Sequence, residues 1–387
     1  MKKGCLHSTA IFKYSLTLIL GILAVSAALC SNAHPNLAGA WQGMIVHYMR
    51  EGRFEKAAVP LNLMVTEQKA RLIKGRLGFP KGGKNVEKGF VGVISPDNKK
   101  FYLACTDESY AFGEMITPGR ISLSFTQGGN KPGAASASIA RGMHVFTSKK
   151  ELLSKGAIGL TGFWRGDEAT VNSRGIEKRK ARIICAFPEE RGRLLEGARG
   201  WVENGSRKTR NFSGSAVSGE RFVLSDYEGG YTVADVLSKE VVFTYYLHSG
   251  KDAKASVTGL GKGRKGESVA DRMLNKRRLP KLRGTWQGTA KVATTKGLPS
   301  AGVPVEYVIK KQNKRTFFGT KTVRLRDRSE SEGFYGVIGA DNKSLFIAEE
   351  REGYAFGKIL PGGSLSIQHL EAGPNAKAVE NTIKRVR

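Results

Sequence analysis

Residues 262–283 hold nine Lys or Arg against two acids, and Lys276, Arg277, Arg278, Lys281 and Arg283 lie among them. Bases at this density attract polyanions through non-specific electrostatics and counterion release. These five are the candidate polyanion-binding residues. A second run, 174–182, carries five bases and one acid, and the chain ends Lys384-Arg385-Val386-Arg387. Aromatic residues are sparse in these runs, so stacking of single-stranded bases is not indicated. The expected partner is an anionic polymer such as lipopolysaccharide, an acidic polysaccharide or DNA, bound without sequence readout.

Other chemistry finds little support. Gly261-Lys-Gly263-Arg-Lys-Gly266 matches GxGxxG, but a dinucleotide site needs a βαβ unit and an acid about 20 residues onward. Residues 281–290 contain no acid, and the stretch reads as a flexible basic linker. His34, His47, His144, His248 and His369 show neither HxxxH nor HxH spacing, so no metal site is expected. Glu114 and Asp235 take matching positions after Tyr110 and Tyr231, where a third copy has Lys358. A position that accepts either sign does not build a catalytic pair and reads as a solvated face. With no nucleophile elbow and no supported serine–lysine motif, neither enzyme activity nor a cofactor is expected.

The elements carrying these residues come in three copies. Leu37-Ala-Gly-Ala-Trp41-Gln-Gly43, Leu160-Thr-Gly-Phe-Trp164-Arg-Gly166 and Leu282-Arg-Gly-Thr-Trp286-Gln-Gly288 begin them, with the tryptophans 123 and 122 residues apart. Residues 89–116 align without gaps to 333–360, with 14 identities in 28 positions. Tyr110, Tyr231 and Tyr354 correspond, as do Gly75, Gly197 and Gly319. Each copy closes on an Ala-containing strand ending in a base: Arg141, Lys262 or a shifted Arg264, and Arg385.

Each copy reads as a strand meander. Ile121, Leu123 and Phe125 alternate with Ser122 and Ser124, the period of a half-buried strand. Ser95-Pro96-Asp97-Asn98 and Gly339-Ala340-Asp341-Asn342 read as turns. About eight strands fit each unit, a number suited to barrel closure, which removes exposed edges. The expected fold is all-β: three tandem small antiparallel up-and-down β-barrels joined by short helical linkers, after an N-terminal signal peptide. The boundaries are 1–33 signal peptide, 34–142 first barrel, 143–159 linker helix, 160–264 second barrel, 265–281 basic linker helix and 282–387 third barrel. Capping-box patterns at Ser148–Glu151 and Ser268–Asp271 start the two helices, and Pro280 stops the second. Each unit is expected to carry its own core and to survive deletion of its neighbour.

Residues 1–33 combine Lys2, Lys3 and Lys13 with an apolar stretch from Leu16 to Leu29 and small residues before a cut after Ala33. Leu29 before Cys30 argues against lipidation. Removing three lysines takes the formal charge from +29 to 29 − 3 = +26. Cys105 and Cys185 remain, in different copies, and imply no disulfide framework.

Gly-x-Trp on a first strand with an Arg near the end of the last resembles the calycin group of lipocalins, fatty-acid-binding proteins and avidins. That resemblance implies that Trp41, Trp164 and Trp286 close one end of each barrel, with Arg141 and Arg385 packed over the first and third. It also implies a barrel able to hold a small apolar ligand. The leading expectation is a non-enzymatic exported binding protein, periplasmic or extracellular, that engages an anionic envelope polymer or lipid. The alternatives are a structural, adhesin-like repeat protein and a carrier of a small apolar ligand.

Overall fold

Period-2 alternation builds the barrel walls. In the strand Val59–Lys69, Leu61, Leu63 and Val65 are buried while Pro60, Asn62 and Met64 are exposed, the pattern of a strand with one face on a core. The computed structural model describes residues 34–386 apart from 51–52, 56–58, 82, 129–132, 142–158, 178–180, 204, 276–277 and 300. The signal-like residues 1–33 and the Ser148–Glu151 helix start lie outside the described residues. Within them the three repeats form three closed antiparallel barrels of eight long strands each, joined in sequence order.

Barrel 1 comprises β1 (Gly39–Arg50), a short β2 (Arg53–Glu55) folded back on β1, β3 (Val59–Lys69), β4 (Leu72–Lys81), β5 (Lys84–Ile94), β6 (Lys100–Cys105), β7 (Tyr110–Thr117), β8 (Arg120–Gln127) and β9 (Gly133–Arg141). Barrel 2 repeats this plan. It runs β10 (Gly162–Asn172), a short β11 (Gly175–Ile176), β12 (Ala181–Arg191), β13 (Leu194–Glu203), β14 (Ser206–Ser218), β15 (Arg221–Asp226), β16 (Tyr231–Ser238), β17 (Val241–His248) and β18 (Lys254–Lys262). Barrel 3 runs β19 (Gly284–Thr294), β20 (Val303–Asn313), β21 (Thr316–Arg324), β22 (Ser329–Ile338), β23 (Ser344–Glu349), β24 (Tyr354–Ile359), β25 (Leu365–Glu371) and β26 (Lys377–Arg385).

Side chains fill the barrel interiors. Trp41, Phe90 and Phe101 pack with Leu61, Leu63 and Ile121 in the first, and equivalent clusters fill the others. The three corresponding glycines permit this packing. A Cβ on Gly75, Gly197 or Gly319 would lie 2.0, 2.1 or 2.0 Å from a carbonyl oxygen of the adjacent strand. Both Asp-Asn turns form as expected, with Asn98 and Asn342 at φ 59 and their N–H groups donating to Ser95 O and Gly339 O at 3.0 Å. Cys105 and Cys185 are free and buried in different barrels, and burial pushes both thiols up to about 12.

The segment after barrel 2 differs from expectation. Helix α1 (Gly263–Asn275) starts before Ser268, so Ser268 lies inside the helix rather than capping it. Gly263 turns the chain at φ +68, and a Cβ on Gly261 would lie 1.9 Å from Glu267 N. The GxGxxG glycines therefore let α1 fold back directly against β18, so this stretch is a tight strand-to-helix turn and not a flexible linker. Among the described residues, no helix is long and apolar enough to cross a membrane.

The barrels do not stand independently. A fourth apolar core lies outside all three and draws residues from each. Strands β8 and β9 pack on β14, β17 and β18 on β22 and β23, and β25 and β26 return to β5 and β6. Each barrel thus presents its last two strands to the middle strands of the next, a head-to-tail arrangement that closes into a ring of three. Tyr110, Tyr231 and Tyr354 meet edge to face where the barrels join, with ring centroids 5.0, 5.6 and 4.9 Å apart. Every hydroxyl bonds a neighbouring barrel. Gly128 N–H donates to Tyr231 at 3.1 Å, Ala372 N–H donates to Tyr110 at 3.1 Å, and Tyr354 donates to Gly229 O at 2.9 Å. Ser122 and Ser124, which alternate with apolar residues on β8, do not face water. They are 4% and 0% exposed in the seam with barrel 2, where Ser124 donates to Ala216 O at 2.8 Å.

Candidate anion-binding face

The third barrel end and the connector form one structure. Trp286 is buried, its indole N–H donates to Leu282 O at 2.8 Å, and it is the register partner of Arg385 on the closing strand. The Arg385 guanidinium sits 5.3 Å above the indole and donates to Lys281 O at 3.4 Å and to Arg283 O. Barrels 1 and 2 repeat the device. Arg141 lies 4.8 Å over Trp41 and Lys262 lies 5.7 Å over Trp164, each as the register partner of its tryptophan. Lys262, not Arg264, is therefore the closing base of the middle copy.

Of the five candidate bases, Lys276 and Arg277 lie outside the described residues. Arg278, Lys281 and Arg283 are exposed, and no acidic side chain pairs with them among the described residues. Lys281 and Arg283 line an open pocket of about 390 Å³ together with Lys314, Arg385, Gln312 and Pro280. Gln312 holds the floor: its side-chain amide donates to Pro280 O at 2.8 Å and its oxygen accepts from Leu282 N–H at 2.7 Å. Among the described residues no acid lines this pocket. Lys314 was not singled out from sequence, because its turn reaches the connector only once β20 pairs with β19 and Gln312 bonds Pro280 and Leu282. At the same places barrel 1 has Asn36, Ala38 and Ala70, so this basic pocket belongs to barrel 3.

Inside barrel 3 lies a buried charge cluster that sequence reasoning missed. Lys321 pairs with Glu332 at 2.6 Å and with Glu349. His369 Nδ1 lies 3.2 Å from Glu349 and Nε2 lies 3.0 Å from Glu371. The repeats held a signal: barrel 1 has Leu77 and Cys105 where barrel 3 has Lys321 and Glu349. Burial disfavours the charged form of Glu349, but His369 and Lys321 outweigh it and hold its pKa below 4.5. Burial likewise opposes charge on His369, yet Glu349 raises its pKa above 6.5, against Lys321. A raised folded pKa means that the charge-dependent stability is complete below 6.5 and is lost as pH rises through the folded value. Melting curves of wild type and His369→Gln should therefore differ more at about pH 5.5 than at about pH 9. An equal difference at both would show that the histidine charge contributes nothing.

Glu114 and Asp235 do not form a solvated face. Both line a cleft where the barrels meet, and Asp235 is tied to Arg221 at 2.6 Å. The third equivalent, Lys358, lines a smaller adjoining chamber. Period-2 reading takes these positions off the barrel interior but does not reveal that another barrel covers them. Among the described residues no group of His, Cys, Asp or Glu is arranged to hold a metal.

No protein-family model matches this chain, and no curated protein does. Among solved structures, a protein of unknown function from the DUF3598 family of Nostoc punctiforme PCC 73102 is similar over 58% of this chain and 96% of its own, at 10% identity and a TM-score of 0.29. Transferrin binding protein B from serogroup B Neisseria meningitidis matches over 87% of this chain and 67% of its own, at 9% identity and a TM-score of 0.22. A variant of transferrin binding protein B from Haemophilus parasuis Hp5 matches over 92% and 77%, at 11% identity and a TM-score of 0.21. At TM-scores this low the likenesses carry no argument, and the function is read from the chain's own geometry.

Proposed function

We propose that this chain is a non-enzymatic, exported binding protein of three calycin-like barrels, whose connector face engages an anionic polymer of the cell envelope. The observation that carries the reading is the acid-free pocket of Lys281, Arg283, Lys314 and Arg385, continuous in sequence with Lys276, Arg277 and Arg278. Unpaired exposed bases leave their charge available to an external anion, and each phosphate they neutralise releases a counterion. The calycin-like reading is supported by the Trp, closing-base and backbone-carbonyl arrangement repeated at three barrel ends. Export rests on residues 1–33. The filled interiors favour a surface-binding role over a ligand carried inside a barrel.

The test is a salt titration of affinity for lipopolysaccharide and for duplex DNA. Wild type is compared with a variant reversing Lys276, Arg277, Arg278, Lys281, Arg283 and Lys314 to Glu. Arg385 is left in place because it covers Trp286. Wild-type affinity should fall steeply with salt. The variant should bind at least about tenfold more weakly at low salt, with its slope on DNA flatter by about 0.9 for each phosphate no longer neutralised. Equal affinity and slope would remove the connector as the binding surface. Absence of wild-type binding at low ionic strength would defeat the polyanion reading altogether.

A further inference from the structure

The three barrels and α1 together line a cleft of about 500 Å³. Barrel 1 contributes Lys100 and Glu114, which face each other as register partners on β6 and β7. Neither side chain makes an ion pair or hydrogen bond among the described residues, and Glu114 Oε2 is buried without a partner. Barrel 2 contributes Arg221. Its Nε and Nη2 both bond one oxygen of Asp235, at 2.7 and 2.6 Å, while its Nη1 bonds nothing among the described residues. The same cleft is lined by two exposed apolar side chains, Leu237 of barrel 2 and Met273 of α1.

Partly buried polar groups without partners cost free energy, and a folded protein normally satisfies them. Here an ammonium, a guanidinium N–H and a carboxylate line one cavity with no hydrogen bond or ion pair to these atoms among the described residues. Burial, followed by the nearby Arg221, pushes the Lys100 pKa below its ordinary value, and Asp97, Glu114 and Asp235 offset this only in part. The volume is that of a small-molecule site.

We propose that this junction cleft binds a small amphipathic zwitterion of the dipeptide kind, an acid and an amine carried on one apolar body. The acid group meets Lys100 and the unused Arg221 Nη1. The amine meets Glu114, and the apolar body lies along Leu237 and Met273. An anion alone leaves Glu114 unpaired, and an amine alone leaves Lys100 unpaired. The cleft shares no residue with the basic pocket at the connector, so this inference stands apart from the polyanion reading.

The experiment is calorimetric titration of the full mature chain with leucyl-leucine. The matched controls are N-acetyl-leucyl-leucine, which lacks the amine, and leucyl-leucinamide, which lacks the acid. Leucyl-leucine should bind, and each blocked analogue should bind at least about tenfold more weakly. Lys100→Gln and Glu114→Gln should each weaken leucyl-leucine by a similar factor and keep the wild-type circular dichroism spectrum, because neither side chain makes a hydrogen bond or ion pair among the described residues. Leu237→Asn, at an exposed position, removes apolar wall without adding a charge and should weaken leucyl-leucine. The proposal is overturned if leucyl-leucine does not bind, if the blocked analogues bind equally well, or if Lys100→Gln and Glu114→Gln leave affinity unchanged. None of these variants should alter the salt dependence of polyanion binding, so the two readings fail separately.

Discussion

Replacing Trp286 with alanine should destabilise the protein by about 3–5 kcal/mol, the usual cost of truncating a large buried aromatic. The ring is 4% exposed and lies between the barrel-3 core and the Arg385 guanidinium. Its removal opens a cavity at the barrel end, takes the donor from Leu282 O and leaves Arg385 without the surface on which it rests. Chemical denaturation followed by circular dichroism reads the difference. Because barrel 3 also contributes to the core shared by all three barrels, the loss should appear in one transition of the whole ring. A change below about 1 kcal/mol would instead describe a ring that packs against little, as a ligand-stacking indole would.

A chain ending at Asn275 should not leave two stable barrels behind. Removing barrel 3 uncovers Tyr245, which stacks on Phe346 at 4.0 Å, and Tyr102, which stacks on Phe356 at 4.7 Å. It also takes Tyr354 from between Tyr110 and Tyr231. Each large aromatic returned to water costs about 1.5–3 kcal/mol, so the expected loss is about 5 kcal/mol or more, comparable to the net stability of an ordinary domain. Truncated and full-length chains can be compared by thermal melting and by binding of a hydrophobic dye. Native-like melting of the truncated chain with no added dye binding would mean that the central core contributes little and that each barrel is self-sufficient.

Several features were legible because their causes are local or repeat along the chain. Trp41, Trp164 and Trp286, and the bases that close their barrels, recur at near-constant spacing. Their register pairing follows once β1, β10 and β19 meet the last strands of their own repeats. The Asn98 and Asn342 turns are local chemistry, and the interior faces follow from alternation along each strand.

Other features depend on which surfaces meet, and alternation is silent about that. It takes Ser124, Glu114 and Tyr231 off the barrel interior, yet the outer face of a closed barrel looks the same in sequence whether water or a neighbouring barrel covers it. Ser124 therefore reads as a solvated position and is fully buried. Glu114 and Asp235 read as a surface tolerant of either sign and line a cleft. Gly261 and Gly266 read as flexibility and instead permit close approach of helix to strand. Taken alone, the sequence determined three β-barrels, their tryptophan-closed ends and an excess of positive charge, because period, spacing and charge are properties of the chain itself. The tertiary structure alone decided that the barrels close into a ring around three tyrosines, that the connector bases gather with Lys314 and Arg385, and that a polar cleft opens between the barrels. Each of these juxtaposes residues about 30 to more than 200 positions apart, and only packing free energy brings such residues together.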